Sequence, residues 1–223
     1  MRLSLALAAV LSLHLPHAAL AAVPDSFETV LQGLRASVLQ TRRDQKQVRA
    51  LADASEIQRA SSDSRSLDNA ADRLRWNVSD IRRRASTQGR RPGPGRPGPG
   101  RPGPGQPNRD PFFESDLRRV VWDLRDFRMR MGSLSRDVER LDRGAAPDPA
   151  SVGPAQTLTD EASRLRSSVG WLTSEARWAR MDLSSAGYTF EAMDVERETQ
   201  DAERASYDIE RDARSLLQRV RQP

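Results

Sequence analysis

The chain has 223 residues, no cysteine, and 36 basic against 31 acidic side chains, a formal charge of +5. Without cysteine there are no disulfides and no thiol-linked lipid, so the fold must rest on packing alone. Its two histidines, His14 and His17, both fall within an apolar N-terminal leader.

That leader reads MRLSLALAAVLSLHLPHAALAAVPDSF. Leu3–Leu15 has the length of a signal-peptide core and falls short of the ~20 apolar residues a membrane span needs. Ala19-Leu20-Ala21 supplies the small-x-small pattern of a cleavage site. The expectation is a signal peptide over 1–21 and export to the periplasm or the extracellular space. No later stretch is apolar enough for a transmembrane segment. The mature chain then holds neither His nor Cys. Zinc sites built on those ligands, and Ser–His or Cys–His nucleophilic pairs, are excluded. The single lysine, Lys46, has no Ser-x-x-Lys motif around it. No phosphate loop, nucleotide fingerprint or calcium loop is present. The expectation is a non-enzyme without catalytic residues, cofactor or metal.

Residues 22–84 read as a helical region. One apolar frame runs through Phe27, Leu31, Leu34, Val38, Thr41, Gln45 and Val48. A second runs through Ile57, Ala60, Ser64, Leu67, Ala71, Leu74, Val78 and Ile81 in alternating steps of three and four, a heptad seam. The frames slip near Ser55, so the spacing allows one helix or two, and SSDSRS at 61–66 reads as a turn or as a helix face.

The segment 85–109 contains RPGPG three times. Glycines spaced alternately two and three apart exclude a collagen helix, and the prolines exclude α-helix and sheet. A disordered Pro/Gly/Arg linker is expected. At ~3.1 Å per residue, residues 92–107 would reach up to ~50 Å, enough to return the chain along a preceding helix. It carries Arg90, Arg91, Arg96, Arg101 and Arg109 and no acid. With Arg2 leaving in the leader, the rest of the mature chain has a formal charge of −1. These five arginines are candidate anion-binding residues.

Residues 110–143 predict a helix with a strict seam: Phe113, Leu117, Val120, Leu124, Phe127, Met131, Leu134, Val138 and Leu141. Asp110-Pro111 suits its start and Gly144 its end. A Pro/Gly loop is expected at 144–156, and a long helical region at 157–223 with Thr157 or Thr159 as its cap. Its seam runs Leu158, Ala162, Leu165, Val169, Leu172, Ala176, Ala179, Leu183, Ala186, Phe190 and Met193. Gly187 marks a candidate kink, and a new frame runs from Thr199 to Val220. The short loop predicts that 111–190 forms a helical hairpin of neighbouring helices. The fold class expected is all-α: an elongated antiparallel coiled-coil or helical bundle with the linker in its middle.

All four tryptophans lie two residues after a seam position. Trp122 and Met129 are seven apart, as are Trp171 and Trp178, with Met181 beyond. With Trp76, these six are the candidate partner-binding residues. They read either as a second packing face or as an exposed strip for a partner. Pairs at i,i+4 (Glu114–Arg118, Asp126–Arg130, Asp160–Arg164, Glu210–Arg214) read as solvated helix faces. The function expected is protein–protein association or self-assembly in the cell envelope, with a protein partner or a second copy. The alternative is binding of anionic envelope polymers or nucleic acid through the linker arginines.

Overall fold

The computed structural model describes residues 27–89 and 111–222. The signal-peptide expectation and the three RPGPG repeats lie outside them. Four helices account for nearly all of the described chain: α1 (Phe27–Gly89), α2 (Pro111–Gly144), α3 (Pro149–Ser185) and α4 (Thr189–Arg221). The fold is all-α. The chain divides into two units, Met1–Val48 and Arg49–Pro223.

The second unit is a bundle formed by the later part of α1 and by α2, α3 and α4. Its core is the set of seams read from the sequence. Ile57, Leu67, Leu74 and Ile81 of α1 are buried with Phe113, Leu124, Met131 and Val138 of α2. Leu158, Leu165, Leu172 and Leu183 of α3 join Val195, Ile209 and Leu216 of α4 in the same core. Alanines alternate with these large side chains, at Ala162, Ala176 and Ala179 on α3 and Ala202 and Ala213 on α4. Small residues let helix axes approach closely, which offsets a modest apolar content.

Ion pairs across the helices give their directions. Arg84 donates to Asp116 at 2.7 Å, and Arg140 reaches Glu56 at 3.3 Å, so α1 and α2 run antiparallel. Arg65 meets Glu161 at 2.7 Å and Arg82 meets Glu175 at 2.9 Å, so α1 and α3 run parallel. Arg166–Glu210 and Arg180–Glu196 make α3 and α4 antiparallel. Arg128–Glu198 (2.5 Å) and Arg219–Asp142 (3.0 Å) make α2 and α4 parallel. Each helix therefore has two neighbours, and α2 and α3 sit on a diagonal.

That diagonal corrects the hairpin expected over 111–190. The two helices do run in opposite directions, but among the described residues their backbones do not come within 8 Å of each other as neighbouring helices do. The hairpin of adjacent helices is α3–α4. A connection of only four residues sets direction, not adjacency, and the buried faces choose the neighbour. The turn between α3 and α4 is a helix-ending motif in which Gly187 has φ +90°. Its N–H bonds to Ser184 O (3.1 Å), and the Tyr188 N–H bonds to Leu183 O (2.9 Å), the paired bonds of a Schellman C-cap. The Leu158 seam therefore ends before Phe190 and Met193, which are exposed. The frame resets at Ala192 and Val195.

Three other boundaries move. α3 begins at Pro149, so the expected 144–156 loop shrinks to 145–148. Asp148 caps the start, accepting from Ala150 N (3.1 Å) and Ser151 Oγ (2.8 Å), with Pro149 at the first helical position. Thr157 and Thr159 are not caps; their hydroxyls donate back to Gly153 O and Ala155 O inside the helix. α1 continues through 61–66, with Ser61 and Ser64 buried, and on to Gly89 with Ala85 fully buried. It is one helix, and its frame changes near the place where one unit gives way to the other. Within the first unit, α1 is exposed on all sides from 32 to 48.

Candidate interaction surface

In heptad terms the bundle positions a and d are consumed by the core. The flanking e and g positions carry the ion pairs that lock neighbouring helices. What remains for a partner lies further out, and there the structure places all six candidate aromatic and methionine residues. Trp76 and Trp122 are both 67% exposed, Trp171 61% and Trp178 55%. Met129 and Met181 are also more than half exposed. The reading in which these residues pack a second face within the chain is therefore set aside.

The six do not form one patch. Trp122 and Met129 lie on the outside of α2, whereas Trp171, Trp178 and Met181 lie on the outside of α3. Because α2 and α3 are diagonal, these two strips face away from each other. The α1–α2 pairing that joins Arg84 to Asp116 and Arg130 to Ser66 brings Trp122 level with Trp76. Arg75 sets Trp171 at that same level.

Trp171 and Trp178 are the best-organised of the group. The Arg75 guanidinium sits 5.4 Å from the Trp171 ring centre and that of Arg82 sits 5.9 Å from Trp178. Both arginines come from α1, two turns apart, matching the two-turn spacing of the indoles. This stacking crosses from one helix to another. Arg82 also donates to Glu175 and reaches Asp182 at 3.3 Å. The Glu175 hydrogen bond raises its pKa further, against the opposing pull of desolvation, so the guanidinium is a fixed charge. Stacked cations hold the indoles in place and leave their outer faces to solvent.

Two of the four expected i,i+4 pairs are formed, Glu114–Arg118 at 2.8 Å and Glu210–Arg214 at 2.6 Å. Elsewhere Arg130 turns across to Ser66, and Arg164 pairs with Glu161. The Glu210 carboxyl feels desolvation pushing its pKa up, but hydrogen bonds from Arg166 and Ser163 and the Arg166 and Arg214 charges outweigh it, so the net shift is down.

At one end of the bundle an open cleft of about 190 Å³ lies over Ile57, Leu141, Leu216 and Val220, with Asp53, Glu56 and Arg140 at its rim. Partial desolvation, then the Glu56 and Asp148 charges, push the Asp53 carboxyl up, with Arg49 opposing. Ser151 also lines it, its hydroxyl donating to Asp148 Oδ2 at the α3 cap (2.8 Å). Among the described residues, no group of three or more metal-ligating side chains converges, and no helix is long and apolar enough to cross a membrane. Of the candidate anion-binding arginines, Arg90, Arg91, Arg96, Arg101 and Arg109 all lie outside the described residues.

Two features escaped the sequence reading. Tyr188 is almost fully buried and packs its ring 5.0 Å from that of Phe113, pinning the α3–α4 turn to the start of α2. Its place just after Gly187 was the available signal. Glu198 is buried between Arg125 and Arg128 of α2 and Arg197 of its own helix. Nothing in the spacing distinguishes it from the exposed glutamates. No family model, no curated protein and no solved structure matches this chain.

Proposed function

We propose that this chain is an exported, non-catalytic helical-bundle protein that acts in the cell envelope by protein–protein association or self-assembly. One observation carries the reading. The bundle completes its own core, yet it keeps large apolar side chains on its outside at helical spacing, and stacked arginines hold the Trp171/Trp178 strip. Aromatic and methionine side chains are costly to leave in water and are enriched where partners dock. The Trp122/Met129 and Trp171/Trp178/Met181 strips serve as adhesive outer faces.

The test is co-sedimentation of the mature chain with isolated envelope fractions at low and high salt. Association through the bundle predicts pelleting that persists in high salt and falls in the Trp122→Ser/Trp171→Ser variant. Persistence in that variant would remove the strips from the account.

A second reading is favoured by where the charge lies. The bundle arginines are extensively paired to carboxylates, as in Arg65–Glu161 and Arg82–Glu175, and the helical parts are nearly neutral. The excess sits in Arg90, Arg91, Arg96, Arg101 and Arg109, a segment suited to anionic polymers. Binding of that kind weakens steeply with salt. It predicts retention on heparin, and pelleting that vanishes in the Arg91→Gln/Arg96→Gln/Arg101→Gln variant.

A further inference from the structure

We propose that α1 pairs with α1 of a second copy of the chain, as a parallel, in-register two-stranded coiled coil over residues 34–51. The proposal deepens the association reading and rests on it: it names one surface and its partner.

Leu34, Val38 and Val48 recur at coiled-coil spacing and are 50–58% exposed, with Thr41 and Gln45 in the same frame. All described residues from 32 to 49 are exposed. A helix gains most of its stability from packing an apolar face, and here no described segment covers that face. The seams of the bundle are spent on its own core; this one is not.

The flanking residues say what covers it. Taking Val38 and Gln45 as a, and Leu34, Thr41 and Val48 as d, the e positions are Arg35, Arg42 and Arg49. The g positions are Ser37, Asp44 and Leu51. An antiparallel pair sets e against e, facing arginine with arginine along the seam. A parallel pair sets g against the e five residues on. Asp44 then meets Arg49 of the other copy, once on each side, and no like charges face each other. Asp44 accepts a hydrogen bond from the exposed Gln40 amide one turn back, at 3.0 Å, a contact it can exchange at little cost. In register, Gln45 also meets its own copy at an a position, where the two amides can bond to each other. A polar a residue of this kind selects one alignment over slipped ones. Leu51, 61% exposed at g, extends the apolar contact.

The absence of cysteine makes the test clean. Leu34→Cys and Val48→Cys are prepared separately in the full mature chain and oxidised mildly. The two sites are both d, ~21 Å apart along the helix. A parallel dimer cross-links each variant to itself. An antiparallel dimer can do so at one site at most, and cross-links the two variants to each other. Sedimentation equilibrium on cysteine-free chains supplies the second arm. The expected result is a dimer that Leu34→Asp/Val38→Asp weakens at least ~100-fold, because two buried aliphatic contacts are lost. Trp122→Ser/Trp171→Ser leaves that dimer intact. The bundle melt is unchanged in the Asp variant, since both sites are exposed in the chain.

Mixed-only cross-linking overturns the orientation. A dimer lost in the Trp variant but kept in the Asp variant overturns the surface and leaves self-association standing. A monomer at every concentration that still pellets with envelope overturns this proposal alone. A monomer that does not pellet overturns the association reading with it.

Discussion

Two glycines in the bundle should respond to alanine with opposite signs. Gly187 has φ +90°, and an added Cβ there would meet nothing within 4 Å. The cost of Gly187→Ala is therefore backbone strain alone. A left-handed conformation costs an L residue about 1–2 kcal/mol, while the stiffer unfolded chain returns about 0.4–1 kcal/mol. The net is a loss of up to about 1.6 kcal/mol, centred near 0.8 kcal/mol. Gly170 lies inside α3, and its added Cβ also meets nothing within 4 Å. Gly170→Ala should gain about 0.5–1 kcal/mol, the helix-interior difference between the two residues. For a domain of this size each kcal/mol moves Tm by about 2–4 °C. The two variants should therefore melt on opposite sides of the parent in a circular-dichroism scan, separated by several degrees. Gly187→Asn should fall between the parent and Gly187→Ala, because asparagine tolerates the left-handed region better than alanine. A Gly187→Ala melt at or above the parent would refute the C-cap account of the α3–α4 turn. A Gly170→Ala melt below the parent would show that its face is covered.

The Ser64 hydroxyl is buried in the α1 seam with no hydrogen-bond partner among the described residues, so Ser64→Ala should raise stability by about 1 kcal/mol, read from the urea midpoint. A lower midpoint would mean that the hydroxyl is satisfied. Glu210 has its carboxyl held below the ordinary value of 4.5 by Arg166, Ser163 and Arg214 against desolvation. Its folded pKa is depressed, so its contribution is present above the ordinary value and is lost as pH falls through the depressed one. Glu210→Gln should cost stability at pH 7 and leave a shallower decline between neutral pH and about pH 3. Parallel urea titrations of parent and variant would show it, and equal slopes would count against the Arg166–Glu210–Arg214 cluster.

The seams were legible because a heptad repeat is a local property. Leu117, Leu124, Met131 and Val138 are buried where their spacing puts them. Which seam faces which was not legible. Every strip of Leu, Val and Ala offers much the same surface, and the choice lies in pairs such as Arg65–Glu161, 96 residues apart in the chain. The ends of helices were read from composition and slipped where composition misleads. Proline and glycine at 147–154 look like a loop, yet Pro149 suits a first helical position and Asp148 caps it. The exposed aromatic residues were found by their offset from the seams. Their arginine partners on α1 were not, because stacking across two helices leaves no mark in either sequence.

The contact between Arg84 and Asp116 has a consequence for the repeat between them. Because α1 and α2 are antiparallel, α1 ends and α2 begins at the same end of the bundle. The repeat has no long distance to cover; its capacity to span a helix is not what the fold asks of it. Closing a longer loop costs little, about 0.6 kcal/mol for each doubling of its length. The number of RPGPG copies is thus nearly invisible to the folded state. Copies could be gained, lost or replaced by an inserted domain, and the bundle would register only a small shift in stability, so whatever fixes the copy number lies outside the fold.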